Sequence, residues 1–362
     1  MKRVPNTMFT NSIEEYNLEA NEYSVGHTSP SNIALVKYWG KFGRQFPRNP
    51  SLSITLDKAH TSTRVKFSKK DTQGISLTFK FEGNEKTDFA NKIQKFLESI
   101  VEEFPYLPLY HLDIESSNTF PHSSGIASSA SSMSALAMCL CDFERELLKT
   151  KPSEEDFLNK ASYIARLGSG SASRSVFAKM ASWGESYELG SVNEFASPYI
   201  DFAPLFENIC DSVAIISSGE KAVSSRAGHA LMENHPFAQT RFESAHHNIA
   251  TLVKALKEGD FKSFAEVVEI EALELHGLMM NSRPSFILMA TNTLEAINRI
   301  RKFREDTGTM VCFTLDAGPN VHILYPQSEK STVLKFIEEE ITPLTQGGLV
   351  IHDHMGNGPV KL

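Results

Sequence analysis

The stretch that most constrains the fold is Pro121-His-Ser-Ser-Gly-Ile-Ala-Ser-Ser-Ala130, which runs straight into Ser131-Ser-Met-Ser-Ala-Leu-Ala-Met138. A proline-started turn with one glycine, Gly125, hands the chain to a helix rich in alanine, leucine and methionine. Such a junction leaves backbone N–H groups unpaired at the helix start, with the positive end of the dipole behind them. A phosphate is the natural partner, and small residues let it come close. Ser128, Ser129 and Ser131 add hydroxyls for the phosphate or for a magnesium ion bound to it. A serine-rich surface linker is the competing reading. A linker, however, rarely leads without a break into an apolar helix.

At 362 residues the chain is too long for one ordinary core and fits two domains. With 41% hydrophobic and 22% charged residues it reads as an ordered globular protein. A formal charge of −8 argues against broad nucleic-acid binding, so local basic residues must do any phosphate binding. No apolar run approaches the roughly 18 residues that span a bilayer, and Met1-Lys-Arg-Val-Pro5 lacks a signal-peptide core. Cys139, Cys141, Cys210 and Cys312 show neither disulfide density nor CxxC metal spacing, and the expected setting is the reducing cytoplasm.

Residues 1–24 are polar and irregular and read as a frayed leader. Ser29-Pro-Ser-Asn-Ile-Ala-Leu-Val-Lys-Tyr-Trp-Gly-Lys41 gives an apolar strand ending in Lys37, Tyr38 and Lys41, a cluster able to hold an anion. Residues 51–56 and 62–67 alternate as two half-buried strands, and 75–81 repeats the pattern before a Gly83-Asn84 turn. Thr87 or Asp88 caps a helix with the stripe Ile93, Phe96, Leu97, Ile100, Val101 and Phe104. Strand 110–114 then delivers the chain to the phosphate turn. Ser153 caps a further helix, which ends at Arg166-Leu-Gly-Ser-Gly-Ser-Ala-Ser-Arg-Ser175. This second glycine–serine turn carries Arg174, whose fork fits a carboxylate or phosphate.

The loop-rich stretch from Trp183 to Glu207 marks the expected boundary between domains 1–207 and 208–362. Residues 211–217 read as a buried strand leading to the polar loop 218–226, which ends in Arg226. Two helices follow between His235 and Met280, and a third over 285–302. His246, His247 and His276 lack HExxH spacing and read as ordinary surface or core histidines. Thr309-Met-Val-Cys-Phe-Thr-Leu-Asp316 is a strand ending in an acid, and 321–325 returns beside it. A helix over 330–341 and a strand over 348–352 complete an α+β arrangement with a helix-backed antiparallel sheet.

With these residues assembled, the chain resembles the GHMP kinase superfamily, and within it the mevalonate diphosphate decarboxylases. The turn 121–130 is similar to the superfamily's ATP loop. Asn32–Lys41 resembles the decarboxylases' N-terminal strand, Ile164–Ser175 their substrate loop, Phe313–Asn320 their catalytic-acid strand, and Lys221–Gly228 their cationic loop. The resemblance implies a two-domain GHMP kinase fold, with a ribosomal protein S5 domain 2-like N-terminal domain and a ferredoxin-like C-terminal domain. It also implies ATP-dependent decarboxylation of 5-diphosphomevalonate to isopentenyl diphosphate, by a homodimer using ATP and Mg2+.

By the same resemblance, Asp316 orients and deprotonates the substrate 3-hydroxyl, Arg174 grips its carboxylate, and Lys37 faces the transferring phosphoryl group. Tyr38, Lys41, Ser169, Ser171 and Arg226 hold the substrate and its diphosphate. Ser124, Gly125, Ala127, Ser128, Ser129 and Ala130 hold the ATP phosphates, Ser129 also meets the magnesium, and Asn84 lies on the adenine side. The chain departs from the family pattern at Pro50, at His122-Ser123-Ser124, at Ala178-Lys179, and in a longer 141–151 segment. Two rivals keep the fold: a decarboxylase of the monophosphate, and a kinase that phosphorylates the 3-hydroxyl and stops. A ligand sensor on a kinase scaffold is a third, opposed by the intact set of acid, arginine and lysine.

Overall fold

The computed structural model describes residues 7–120, 126–218 and 225–362. Two long antiparallel strands, β1 (Glu22–Val36) and β4 (Ser51–Lys69), form its spine. Between them lies a short hairpin of β2 (Lys41–Phe42) and β3 (Phe46–Pro47). After β4 come β5 (Ser76–Phe81), β6 (Asn84–Glu85), α1 (Thr87–Ser99), β7 (Tyr110–Asn118), α2 (Ser128–Leu147) and α3 (Glu154–Gly168). β8 (Met180–Trp183) and β9 (Ser197–Tyr199) end the first half. The second half runs β10 (Ile209–Ala214), α4 (Ser225–Leu231), α5 (Ala238–Glu258), α6 (Phe261–Met280), α7 (Thr291–Thr307), β11 (Cys312–Leu315), β12 (Val321–Pro326), α8 (Lys330–Phe336), β13 (Val350–His354) and β14 (Val360–Lys361).

The first sheet has the order β14-β1-β4-β7-β5-β6, with β8 and β9 extending from β4. It is mixed, because β5 pairs parallel to β7. The helices α2 and α3 cover it, sinking Ala137, Leu140, Phe143 and Ile164 into a core with Val65, Phe67 and Leu112. The second sheet, β11-β12-β10-β13, is wholly antiparallel. Alternation splits its faces. Phe313, Leu315, Ile323 and Tyr325 meet α7 and α8, whereas Cys312, Leu324 and Val213 share a core with Ile33, Leu35 and Ile54 of the first sheet. The α+β arrangement stands as expected, except that β14 leaves the second half and pairs with β1.

Four expectations change in detail. Residues 51–67 form one strand rather than two, because the irregularity near its middle stays tied down. There the carboxylate of Asp353 on β13 accepts the N–H groups of Asp57, Lys58 and Ala59 at 3.1, 2.8 and 2.7 Å. The helix expected from residue 285 begins only at Thr291, since Phe286 and Leu288 pack in extended chain against the Trp39 cluster. Neither Thr87 nor Asp88 caps α1; its N-cap is Lys86, without a side-chain bond.

The leader is not frayed over its described part. Tyr16 is buried, its hydroxyl donates to Glu144 Oε1 at 2.6 Å, and the Asn17 N–H donates to the Leu147 carbonyl. Glu144 is also paired with Lys160 at 2.6 Å, so the leader closes a buried polar group. Tyr16→Ala is expected to cost about 3 kcal/mol or more, by cavity formation and by stranding part of the Glu144 carboxylate. Urea unfolding followed by far-UV circular dichroism measures it, and a loss under about 0.5 kcal/mol would return the leader to a surface ornament.

Candidate active site

Where the two halves meet, a cavity of about 890 Å³ is lined by the ends of β1, α2, α3 and β11. Its described walls include Lys37, Tyr38, Lys41, Ala127, Ser128, Ser129, Ser169, Ser171, Arg174 and Asp316. Among described lining residues, Lys37, Lys41, Lys92, Lys95 and Arg174 face a single acid, Asp316. A chain of formal charge −8 thus turns a cationic pocket toward its interior. Phe79, Phe81, Phe89, Ile93 and Phe96 add an apolar wall on the α1 side.

Arg174 lies in the turn after α3 and is almost fully buried. Its Nε donates to Ser53 Oγ at 3.0 Å, Nη1 to Ser51 Oγ at 2.7 Å and Nη2 to Asn32 Oδ1 at 3.4 Å. All three partners are neutral. Among the described residues no carboxylate is in ion-pair contact with it, so its charge is held in place without being neutralised. Burial lowers its pKa to about 10, while Tyr38 and Asp316 work the other way. A buried guanidinium set up in this manner is suited to receive an anion from outside.

Lys37 follows the last residue of β1 and is also buried. Its Nζ donates to the Ala34 carbonyl at 2.6 Å. Burial pulls its pKa down from 10.5 to about 8, against the opposing fields of Asp316 and Glu271, and Arg174 adds to the fall. The backbone of Lys37 is clamped on both sides. Its N–H donates to Glu271 Oε2 at 2.8 Å, and its carbonyl accepts from Arg241 Nη2 at 3.0 Å and from Asn49 Nδ2 at 2.9 Å. Glu271 and Arg241 are themselves a buried pair at 2.6 Å. Sequence reasoning missed this clamp. Its signal was an acid, Glu271, on the buried stripe of α6 with Val267, Leu275 and Leu278.

Asp316 leaves β11 in a turn whose main chain is pinned. Its carbonyl accepts from Gly318 N–H at 2.7 Å and from His276 Nε2 at 3.0 Å. His276 is therefore a buried support for this turn. The half-buried Asp316 carboxylate has no hydrogen-bond partner among the described residues, and its field reaches both Lys37 and Arg174.

The helix α2 starts without a side-chain cap. Among the described residues the Ser128 and Ser129 N–H groups have no acceptor, whereas those of Ala130 and Ser131 turn back to the Ala127 carbonyl. The expected anion cradle therefore narrows: Ala130 is buried and its N–H already occupied. Ser169 Oγ donates to Ser129 Oγ at 3.4 Å, which joins the two serine turns across the cavity. Tyr38 stacks edge-on to Trp183 at 4.7 Å, and Lys41 Nζ donates to Gln45 Oε1 at 2.7 Å. Asn84 does not join them. It is exposed on the β5–β6 hairpin, with Nδ2 on the Glu82 carbonyl. Ser124, Gly125 and the Arg226 side chain lie outside the described residues.

Gly170 shows how tightly the wall is set. A Cβ there would stand 2.8 Å from Tyr38 Cε1, 2.9 Å from its hydroxyl and 3.0 Å from Trp183. Gly170→Ala is expected to displace the Tyr38 ring and raise the substrate KM by about tenfold, with global stability changed less. Steady-state kinetics beside thermal unfolding tests this; an unchanged KM would speak against the binding role expected of Tyr38.

Two family models cover most of the chain: "Diphosphomevalonate decarboxylase-like N-terminal domain" over residues 29–193 and "Mevalonate 5-diphosphate decarboxylase C-terminal domain" over residues 212–359. The diphosphomevalonate decarboxylase of Gibberella zeae is 31% identical over 330 residues, 86% of this chain and 83% of its own length. Among solved structures, MDDEF in complex with MVAPP, AMPPCP and magnesium aligns with a TM-score of 0.80 and 28% identity, over 94% of this chain and 99% of that one. The mevalonate diphosphate decarboxylase of Staphylococcus aureus gives a TM-score of 0.80 and 28% identity, over 94% and 98%. The fold, the cationic interdomain cavity and these likenesses agree, and the chain belongs to the mevalonate diphosphate decarboxylase family.

Proposed function

We propose that this protein catalyses the ATP-dependent decarboxylation of 5-diphosphomevalonate, giving isopentenyl diphosphate, ADP, phosphate and CO2 in the mevalonate pathway. The observation that carries the reading is one carboxylate, Asp316, set beside two buried cations, Lys37 and Arg174, neither of whose side chains is in ion-pair contact with a carboxylate among the described residues. A tertiary alcohol leaves poorly, so the γ-phosphoryl of ATP first passes to the 3-hydroxyl. Asp316 accepts the hydroxyl proton as the new P–O bond forms. Lys37 offsets charge on the phosphoryl oxygens. Arg174 holds the substrate carboxylate until phosphate departs from C3 and the carboxylate leaves as CO2, its bonding electrons forming the new double bond.

The uncapped Ser128 and Ser129 N–H groups suit nucleotide phosphates. Ser129 would supply a hydroxyl to magnesium, whose chemistry is to neutralise phosphate charge. No cluster of three or more His, Cys, Asp or Glu side chains that could hold a metal occurs among the described residues. Tyr38, Lys41, Ser169 and Ser171, with Arg226, take the substrate and its diphosphate in this reading. No helix in the described residues is long and apolar enough to cross a membrane. The reading includes a homodimer, by resemblance to the family, and a cytoplasmic setting, from the cysteine usage.

The experiment offers mevalonate, its 5-phosphate and its 5-diphosphate with Mg-ATP and scores ADP and CO2 together. Equal ADP and CO2 from the diphosphate is the expected result. ADP without CO2 would make the protein a kinase, and preference for the monophosphate would change the substrate.

A further inference from the structure

His229 is a wall of the same cavity that sequence reasoning passed over. It sits on α4, which comes unusually close to the strand-end cluster. The approach is allowed by Gly228, where a Cβ would stand 2.6 Å from the Trp39 ring. The imidazole lies between two aromatic rings, 4.3 Å from Tyr38 and 4.6 Å from Trp39 by centroids. Its orientation in that slot is set by the main chain, since the Gly40 N–H donates to Nδ1 at 3.0 Å.

That hydrogen bond decides the tautomer. An Nδ1 that accepts carries no proton, so in the neutral ring the proton is on Nε2. Nε2 has no hydrogen-bond partner among the described residues, on a side chain that lines the cavity. Burial, with Lys41 and Arg174 nearby, also lowers the ring's pKa to about 3. Among the described residues the groups facing it are Tyr38, Trp39, Lys41 and Arg174, none of them an acid. The site thus presents one fixed, uncharged N–H beside the residues read above as holding the substrate's phosphorylated end.

We propose that His229 donates a neutral hydrogen bond from Nε2–H to a phosphate oxygen of the substrate tail, alongside Tyr38 and Lys41, and so sets tail specificity. The proposal rests on the functional reading above. A neutral donor adds direction without adding charge, so it selects where an oxygen lies, whereas Lys41 favours any anion. The competing role is packing alone, in which the ring only fills the slot between Tyr38 and Trp39.

His229→Phe and His229→Gln separate the two, because Phe keeps the ring and Gln keeps an N–H near the position of Nε2. For His229→Phe the KM for 5-diphosphomevalonate is expected to rise by about tenfold or more, the loss of one hydrogen bond to a charged group. The KM for ATP should stay within about twofold, and His229→Gln should recover part of the loss. If Phe binds substrate normally while Gln does not, the ring matters and the donor does not, and the proposal falls. Should either variant fold poorly, the wild-type chain decides by nitrogen NMR of its histidines. The expected spectrum has Nδ1 unprotonated and Nε2 protonated at pH 6, with the Nε2–H signal moved by 5-diphosphomevalonate alone. An imidazolium, or a signal unmoved at saturating substrate, overturns it. Wild-type CO2 release is scored first: without it the functional reading fails, and with it a negative result fails His229 alone.

Discussion

Asp316→Asn is expected to lower turnover by about a thousandfold or more, roughly 4 kcal/mol of transition-state stabilisation, with ATP and substrate affinities within a few fold. The geometry is why the change should be confined to chemistry. The turn is held through the Asp316 carbonyl, by Gly318 and by His276, and neither bond uses the side chain. Asparagine has the same shape, so the turn and cavity persist. What it lacks is the ability to take the 3-hydroxyl proton, the role proposed for Asp316, together with the charge that acts on Lys37 and Arg174. Single-turnover measurement of ADP and CO2 checks it. Near-normal rates would mean that another group accepts the proton.

Much of this site was legible in the sequence because its parts sit at junctions. Lys37 follows a strand, Asp316 follows a strand, and Ser128 opens a helix, so local pattern alone delivers them to the ends of elements. Arg174 was legible as the armed residue of a glycine–serine turn. What stayed hidden depends on long-range packing. Glu271 and Arg241 are 30 residues apart on two helices, and only their antiparallel contact makes them a clamp on Lys37. His229 acquires its tautomer from a glycine 189 residues earlier. The leader looked unattached because Tyr16 finds its partner, Glu144, 128 residues away. The break expected within β4 fails for the same reason, since the repairing carboxylate, Asp353, comes from the other end of the chain.

Lys37→Met should cost turnover about a hundredfold to a thousandfold, the usual loss for one well-placed transition-state donor, and Lys37 should also leave a signature in pH. Its folded pKa of about 8 lies below the usual lysine 10.5, because burial penalises the charged form. Between those values the unfolded chain holds the proton more tightly than the folded one, so stability rises with pH across that window. Below pH 8 the ligand-free wild type carries the full penalty of a buried ammonium, which Lys37→Met does not. The stability gap between the two, measured by urea unfolding without ligand, should therefore narrow from pH 7.5 to pH 10. Catalysis runs in the opposite sense. In the proposed role only the charged lysine offsets phosphoryl charge, so kcat/KM should fall above about pH 8, where the free enzyme loses that proton. Bound phosphates favour the ammonium, so the matching limb in kcat should lie at higher pH. A pH-independent stability gap, with kcat/KM level to pH 9.5, would show that Lys37 does not titrate in the cavity and that another cation faces the transferring phosphoryl group.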